Sequence, residues 1–399
     1  MKTTRLLGCI LLLWGSCLGM KAQNEFSKWF FGSNAGLDFS SSPPTAITNG
    51  MFSANEGGSV ICDNAGNLLF YTNGVWINNS VHAIMANGSG LNGSPSTTQN
   101  SVIVKHPGQS NIYYVFTAAA QASATGLCYS IVDMSLAAGL GSVTVKNATL
   151  HTPTCEKLIS VRHCNGKDVW VVSHDYGNNN FRSYLVTASG LNLNPVLSAV
   201  GDTPAGNAIA TIGQLKISPN GKKLAMATTT NSIPSTLGNG GFFLLDFDAS
   251  SGVVSNQITL KSNPTIPAYG VEFSPDGTKL YGTTSNTSSS ELYQWNICAG
   301  SGPGIIASEY SLSPTVLIGA AQWAIDGKIY LGSFQQTSLC VINNPNLSGV
   351  SMGYSVNAVS LAGKFSGLGL PGFINSYTRP APAPFTQTVA CQTANFAVP

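Results

Sequence analysis

Two glutamates in this sequence occupy positions that could support acid–base chemistry on a polysaccharide. Glu56 lies in Asn55-Glu56-Gly57 and Glu156 lies between Cys155 and Lys157, and each directly precedes a β-rich run. Glycoside hydrolysis needs two carboxyl groups about 5–10 Å apart, and two glutamates at equivalent positions could meet that condition. The chain has 16 acidic residues, so a pair on one face also arises by chance. Glu56 and Glu156 are therefore candidate ligand contacts, and no catalytic residue is assigned.

Metal and cofactor chemistry has little support in the sequence. The five histidines, His82, His106, His151, His163 and His174, show neither HExxH nor HxH spacing, which are the local patterns of zinc sites. No P-loop is present. The prediction is therefore no metal and no cofactor.

A repeated β-hairpin organises the chain. Its clearest copies read VEFSPDGTKLYGT at 271–283, LKISPNGKKLAMA at 215–227 and AQWAIDGKIYLG at 321–332. Weaker copies surround three further glycines, and the turn glycines recur roughly every fifty residues, as in repeat architectures. They are Gly66, Gly108, Gly166, Gly221, Gly277 and Gly327. Asp-Gly and Asn-Gly between β-rich runs are strong hairpin signals because glycine and asparagine tolerate positive φ.

Each hairpin is followed by a third β-rich run. These runs are 75–78, 127–134, 181–187, 242–248, 291–297 and 338–343. Three strands and an outer fourth strand per period predict the blade of a β-propeller.

The two ends of the repeat region supply a further blade. Lys28 to Gly32 matches a second strand without a first, and Leu368 to Tyr377 resembles a first strand with nothing after it. Pairing them would close the ring and remove a free sheet edge. We predict an all-β, seven-bladed propeller of the WD40/YVTN-like kind over 23–377, with six blades as the alternative if the ends pack outside.

Alignment on the turn glycines predicts which side chains face the central channel. Lys216, Glu272 and Gln322 stand five residues before their glycines, and the following position is mostly large and apolar. Alternation along a strand then points the polar set into the channel. We predict that these three residues, with Glu56 and Glu156, contact a ligand; the alternative is a mutually paired ring without one.

Composition narrows the classes of partner. With 43% hydrophobic and 9% charged residues, the chain is neither disordered nor a coiled coil.

Residues 1–22 have the basic start and short apolar run of a signal peptide, and their removal leaves 15 of 18 basic residues against 16 acidic ones. Only three arginines, well separated in sequence, lie beyond residue 22, which disfavours nucleic acid as a partner. No later apolar run is long enough to span a membrane. The seven cysteines beyond the leader indicate neither a disulfide framework nor a zinc site.

The order of several motifs resembles one known group of proteins. The motifs are WFFGSNAGLDF, NEGG to NLLFYTNG, LNGSPSTTQNSVIV, TPTCEKL, NGKDVWVVSH, YGVEFSPDGTKLYG, CVINNPN and SGLGLPGFINSY. Over about 26–377 they resemble the N-terminal propeller region of secreted Bacteroidetes proteins that continue into PKD-type domains and a type IX secretion (gliding-motility-associated) sorting domain. The resemblance implies export to the exterior or outer surface of a Gram-negative cell. It brings no established catalytic residues.

The segment after the propeller changes in character. Residues 378–384 form a Pro-rich linker, and 385–399 resemble the truncated start of a PKD/Ig-like domain. The sequence favours a monomeric propeller within a larger chain, a non-catalytic module that binds an extracellular glycan or surface protein through loops at one channel end. The alternatives are a propeller hydrolase or lyase acting on polysaccharide, and a structural spacer.

Overall fold

Seven groups of antiparallel strands surround one axis in the computed structural model, which describes residues 24–230, 240–285 and 289–374 and the backbone of 386–390 and 393–397. Each group is one blade, and six of the seven have at least four strands. Blades 2 and 3 are joined through their outer strands into one continuous sheet. The predicted all-β, seven-bladed propeller is confirmed.

The strands follow the chain blade by blade. Blade 1 contains β1 (Lys28–Phe31), β2 (Ala35–Asp38) and β3 (Thr45–Ile47). Blade 2 contains β4 (Gly58–Cys62), β5 (Leu68–Thr72), β6 (Trp76–Asn79) and β7 (Ile84–Ser89). Blade 3 contains β8 (Ser101–Lys105), β9 (Ile112–Ala118), β10 (Leu127–Asp133) and β11 (Ser142–His151). Blade 4 contains β12 (Thr154–Arg162), β13 (Val169–Asp175), β14 (Asn180–Thr187), β15 (Gly190–Leu191) and β16 (Val196–Ala199).

The remaining blades repeat the same plan. Blade 5 contains β17 (Leu215–Ile217), β18 (Lys223–Thr228), β19 (Gly240–Asp248) and β20 (Val253–Asn263). Blade 6 contains β21 (Ala268–Phe273), β22 (Lys279–Thr284), β23 (Leu292–Asn296) and β24 (Tyr310–Leu312), with the helix α1 (Gly302–Ala307) before its last strand. Blade 7 contains β25 (Ile318–Trp323), β26 (Ile329–Ser333), β27 (Ser338–Ile342) and β28 (Tyr354–Ser360). Short 3-10 helices occupy Asn24–Phe26, Ala137–Gly139, Ala208–Thr211 and Gly349–Met352.

The hairpin turns form where the sequence placed them. In blade 6 the Gly277 N–H donates to the Ser274 carbonyl at 2.8 Å, and Gly277 has a φ of +73°. The Asp276 carboxylate accepts from the Thr278 N–H at 2.9 Å, so the side chain of the turn satisfies its own backbone. This turn joins the inner strand β21 to β22, and the equivalent turns define one end of the channel, called here the turn end. The opposite end, where the chain enters each inner strand, is the entry end.

Aromatic side chains join the last blade to the first. Trp29 of β1 is fully buried and meets Tyr330 of β26 with ring centroids 5.5 Å apart. Phe39 packs edge-on against the same tyrosine at 5.3 Å. Truncating a buried tryptophan to alanine costs about 3–5 kcal/mol, so Trp29 is a major contributor to this junction.

Ring closure also uses the segment 365–374, which follows blade 7. The Ser33 N–H donates to the Phe365 carbonyl at 2.9 Å, the Leu368 N–H donates to Asn55 at 2.7 Å, and the Ala320 N–H donates to Leu368 at 2.7 Å. These bonds reach blades 1, 2 and 7. Within the segment β29 (Pro371–Gly372) pairs in parallel with β4. Closure by the two ends is therefore confirmed, although the ladder partner is β4 rather than β1.

Several sequence predictions concern residues at the two ends of the chain, most of which the structure does not describe. The signal peptide 1–22 and the linker 378–384 lie outside the described residues. Within 385–399, β30 (Thr386–Ala390) and β31 (Thr393–Ala397) form an antiparallel pair, and the PKD/Ig-like assignment stays a prediction. In the described part of the chain, no helix has the length and apolar character needed to cross a bilayer.

The described cysteines are five free thiols and one disulfide-bonded residue. Cys62, Cys128, Cys155, Cys164 and Cys340 are free, and all except Cys164 are buried. Cys298 is disulfide-bonded. This bond could not be predicted from the sequence, because an odd number of scattered cysteines does not specify a pair.

Candidate functional site

Four side chains meet at the entry end of the channel, and together they are called here the entry floor: Glu56, Thr98, Glu156 and Tyr269. Glu56, Thr98 and Tyr269 lie at or just before the inner strands of blades 2, 3 and 6, and Glu156 lies within the inner strand of blade 4. The Tyr269 hydroxyl donates to Glu56 Oε2 at 2.9 Å. Because blades 2 and 6 are not neighbours, this contact crosses the ring. The structure thus brings the two predicted glutamates into one cluster.

Glu156 is held as an acceptor of several hydrogen bonds. Its Oε2 accepts from the Thr98 N–H at 2.9 Å and from the Thr98 hydroxyl at 3.0 Å. Its Oε1 accepts from the Gln121 N–H at 2.9 Å. Burial raises the pKa of Glu156, while these donors oppose the rise by favouring the ionised form.

The pKa of Glu56 is also raised, and a nearby charge adds to the effect of burial. Burial and the nearby charge of Glu156 raise the pKa of Glu56 to about 8, against smaller contributions from the hydroxyls of Tyr269, Thr98 and Ser96. Two close carboxyl groups in a poorly solvated place do not both ionise readily. At neutral pH we therefore place the proton of the pair on Glu56 and the negative charge on Glu156.

Lys157, the neighbour of Glu156, does not bond to the entry floor and contacts three backbone carbonyls instead. Its Nζ is buried and donates to the carbonyls of Thr211, Ile212 and Gly213 at 3.0, 2.9 and 3.3 Å. Burial lowers the pKa of Lys157 to about 8. The lysine therefore ties blade 4 to the segment that enters blade 5.

The three predicted channel residues contact one another. Lys216 Nζ donates to Glu272 Oε2 at 2.9 Å and also to Gln322 Oε1. Glu272 in addition accepts from the Phe273 and Trp323 N–H groups at 2.9 and 3.1 Å. All three side chains are buried, with at most 2% of Gln322 exposed. This is the mutually paired arrangement left open above, and a role for the trio as ligand contacts stays a prediction.

Two glutamines that the sequence analysis missed link neighbouring blades. Gln99 Oε1 accepts from the Leu215 N–H at 2.7 Å and from the Leu158 N–H at 3.3 Å. Gln214 Oε1 accepts from the N–H groups of Val271 and Ala321 at 3.2 and 3.1 Å. Each amide spans two adjacent blades near the axis. Their only sequence signal is a polar residue just before a buried strand.

A polar groove opens at the entry end between blades 5 and 6. Its volume is about 210 Å³, and it is lined by Lys261, Asn263, Thr265, Ile266, Pro267, Thr284, Ser289, Glu291 and Tyr293. Lys261 Nζ bonds to Glu309 at 2.8 Å and lies 4.9 Å from the centre of the Tyr293 ring. Because its charges are balanced, the groove suits hydroxyl-bearing groups more than ions.

Two short runs have the spacing of catalytic motifs without their structural context. Gly349 to Gly353 has GxSxG spacing, but it covers a 3-10 helix between β27 and β28 rather than a strand-to-helix elbow. Gly367 to Gly372 has GxGxxG spacing, but it belongs to the closing segment. In the part of the chain described, no three His, Cys, Asp or Glu side chains are grouped to hold a metal ion.

Comparisons with known proteins add distant similarities only. No family model and no curated protein matches the chain. A presumptive 6-phosphogluconolactonase from Bacteroides uniformis is 12% identical, with a TM-score of 0.47 over 79% of this chain and 92% of that one. Hydrazine synthase of Kuenenia stuttgartiensis is 12% identical, with a TM-score of 0.44 over 90% and 92%. TolB from Acinetobacter baumannii is 13% identical, with a TM-score of 0.39 over 76% and 62%.

Proposed function

We propose that this propeller is an interaction module outside the cell that binds a glycan or a surface protein through the loops at its entry end, without catalysing a reaction. The supporting observation is the position of Glu56. Among the five candidate ligand residues, Glu56 alone is partly exposed, while the other four are buried. A ligand at the entry end would therefore meet the carboxyl group of Glu56 first.

The surroundings of Glu56 favour a neutral, hydrogen-bonding ligand. A protonated carboxyl group both donates and accepts hydrogen bonds, as a hydroxyl group does. Asn55 and Ser96 are exposed beside it, and the polar groove between blades 5 and 6 opens at the same end. Buried cross-links such as Lys216–Glu272 hold the blades together, so the surface is preorganised for binding.

The proposal also covers the location of the propeller and the larger protein to which it belongs. The ordered motifs suggest that the chain is the N-terminal part of an exported Bacteroidetes protein that continues into PKD-type domains and a type IX secretion sorting domain. In that setting the propeller would present its entry end at the outer cell surface. The proposed partners are extracellular glycans or surface proteins, with no nucleic acid.

The test is capture on arrays of neutral glycans and of cell-surface proteins. We expect the wild-type propeller to retain at least one ligand, and Glu56→Ala to weaken that capture. Lys222→Gln, which alters an exposed lysine at the turn end, is the matched control and should bind as the wild type does. Absence of any capture would overturn the proposal and favour a structural spacer.

One observation favours the enzymatic alternative, a hydrolase or lyase acting on polysaccharide. Glu56, with its pKa raised to about 8, could act as a general acid at neutral pH beside the carboxylate of Glu156. Glu56→Gln separates the two functions because glutamine keeps the hydrogen bonds of the protonated acid but cannot transfer a proton. Turnover of a polysaccharide that Glu56→Gln abolishes, with binding retained, would establish the enzyme. Retained binding without turnover by either protein would support the non-catalytic module.

A further inference from the structure

A second cavity lies at the turn end, between blades 3 and 4, on the opposite face from the entry floor. Its volume is about 360 Å³, and it is lined by Lys105, His106, Pro107, Gly108, Gln109, Ser110 and Lys167. Lys105 ends β8, the next five residues belong to the connection from β8 to β9, and Lys167 belongs to the turn between β12 and β13. Two adjacent hairpin turns therefore form this cavity.

The imidazole of His106 is fixed in the cavity wall. The ring is 5% exposed and stacks on Tyr114 with centroids 5.9 Å apart and an interplanar angle of 17°. Its Nδ1 accepts from the Gly108 N–H at 3.0 Å. Its Nε2 lies 3.4 Å from the side-chain amide nitrogen of Gln109, so both ring nitrogens face groups of the same connection.

The lining contributes positive charge and donors but no carboxylate. Lys105 and Lys167 bring two ammonium groups, and Gln109 and Ser110 bring an amide and a hydroxyl group. Lys167 is exposed and joins none of the ion pairs between described residues. Its neighbour Asp168 accepts from the Asn165 side chain at 2.7 Å and does not line the cavity.

One acidic group lies near Lys105. Glu25 is attracted by Lys105 and Arg162, although burial is the larger influence and raises the pKa of Glu25. Glu25 is also outside the cavity lining. The cavity therefore keeps a net positive lining in a chain that is nearly neutral overall.

We propose that this cavity is a binding site for one small anionic group, a sulfate, phosphate or carboxylate. Ammonium groups attract such an oxyanion, and the amide and hydroxyl group of Gln109 and Ser110 supply directional hydrogen bonds to its oxygens. The site goes beyond the proposed function because it lies at the other end of the ring and selects charge. The anion could be free in solution or attached to a sugar as a sulfate or uronate.

The experiment titrates the full chain with sodium sulfate, sodium phosphate and sodium acetate at constant ionic strength, with chloride as reference, and follows binding by calorimetry and backbone NMR. A second arm uses a sulfated and a uronic monosaccharide beside their neutral parents. We expect saturable binding that perturbs the amides of residues 105–110, and tighter binding of the anionic sugars if the anion is carried by a glycan.

Two double variants of the cavity lysines test whether these residues bind the anion. Lys105→Gln/Lys167→Gln should weaken anion binding by about tenfold or more, as the loss of two charge-assisted contacts implies. Lys105→Arg/Lys167→Arg should retain it, and Lys222→Gln, which removes one charge from another hairpin turn of the same face, should leave it unchanged. The proposal is overturned if no anion saturates the wild type, or if the double glutamine variant binds as tightly as Lys222→Gln.

Discussion

Glu56 and Glu156 reach the same side chain, that of Thr98, although they belong to blades 2 and 4. The Thr98 hydroxyl donates to Glu156, and a second interaction of Thr98 favours the ionised form of Glu56. Burial and the proximity of Glu156 outweigh that interaction, so the pKa of Glu56 rises to about 8. Glu56 in the entry floor is therefore protonated at neutral pH, and its protonation can be measured.

The first prediction concerns the pH dependence of stability. The pKa of Glu56 is about 8 in the fold against an ordinary value of 4.5, so the folded state binds the proton more tightly than the unfolded state. This contribution is complete below about pH 4.5 and is lost as pH rises to about 8. Urea unfolding across that range should show a decline in the wild type that is absent in Glu56→Gln. Parallel curves for the two proteins would refute a protonated Glu56.

The second prediction concerns the buried ion pair of Lys216 and Glu272. Lys216→Met leaves the Glu272 carboxylate buried without its cation, and the free energy of unfolding should fall by about 3–5 kcal/mol. Adding Glu272→Gln removes the uncompensated charge, keeps an acceptor for one of the two backbone N–H groups, and should recover part of the loss.

A matched comparison comes from Lys223, whose pair with Asp246 is about one-third exposed on each side. Lys223→Met should cost only about 0–1 kcal/mol because water already screens that pair. Chemical unfolding of all four proteins gives both values. Equal costs for the two lysine variants would mean that Lys216 and Glu272 are more solvated than the structure shows.

The third prediction concerns the closing segment. A Cβ on Gly369 would lie 2.1 Å from the Glu56 carbonyl carbon, and backbone cannot yield as a flexible side chain can. Gly369→Ala should therefore lower the free energy of unfolding by about 1–3 kcal/mol or more. Gly372→Ala is the control in the same segment, because its nearest atom would be 3.6 Å away. Similar melting temperatures for the two variants would contradict the packing of this segment on blade 2.

The repeat pattern predicted the blades well because their signals are local. A turn glycine such as Gly277 and the alternating residues around it fix a hairpin without reference to the rest of the chain. The third strand of blade 4, for example, was expected at 181–187 and spans Asn180–Thr187. The seventh blade was predictable from two incomplete repeats, but the pairing of β29 with β4 was not. That contact depends on how a glycine-rich segment fits between three blades.

The site was only partly predictable. Glu56 and Glu156 were expected at one channel end because each precedes a β-rich run, and they do lie together there, although Glu156 lies within β12 rather than before it. The pairing of Lys216 with Glu272 depends on distances between blades, which the alternation of side chains does not give. Gln99 had only the signal of a polar residue before a buried strand, and His106 had none, because their roles arise from backbone groups that the fold brings near them.

The most direct measurement of the central claim is the dissociation constant of the captured glycan or protein for wild type and Glu56→Ala, with folding of the variant verified by thermal unfolding. If ligands bind at the entry floor, Glu56→Ala should weaken binding by about tenfold, the expected loss for one hydrogen-bonding contact of about 1.4 kcal/mol. Lys222→Gln should leave the constant unchanged. Equal constants for wild type and Glu56→Ala would contradict ligand binding at this end of the propeller.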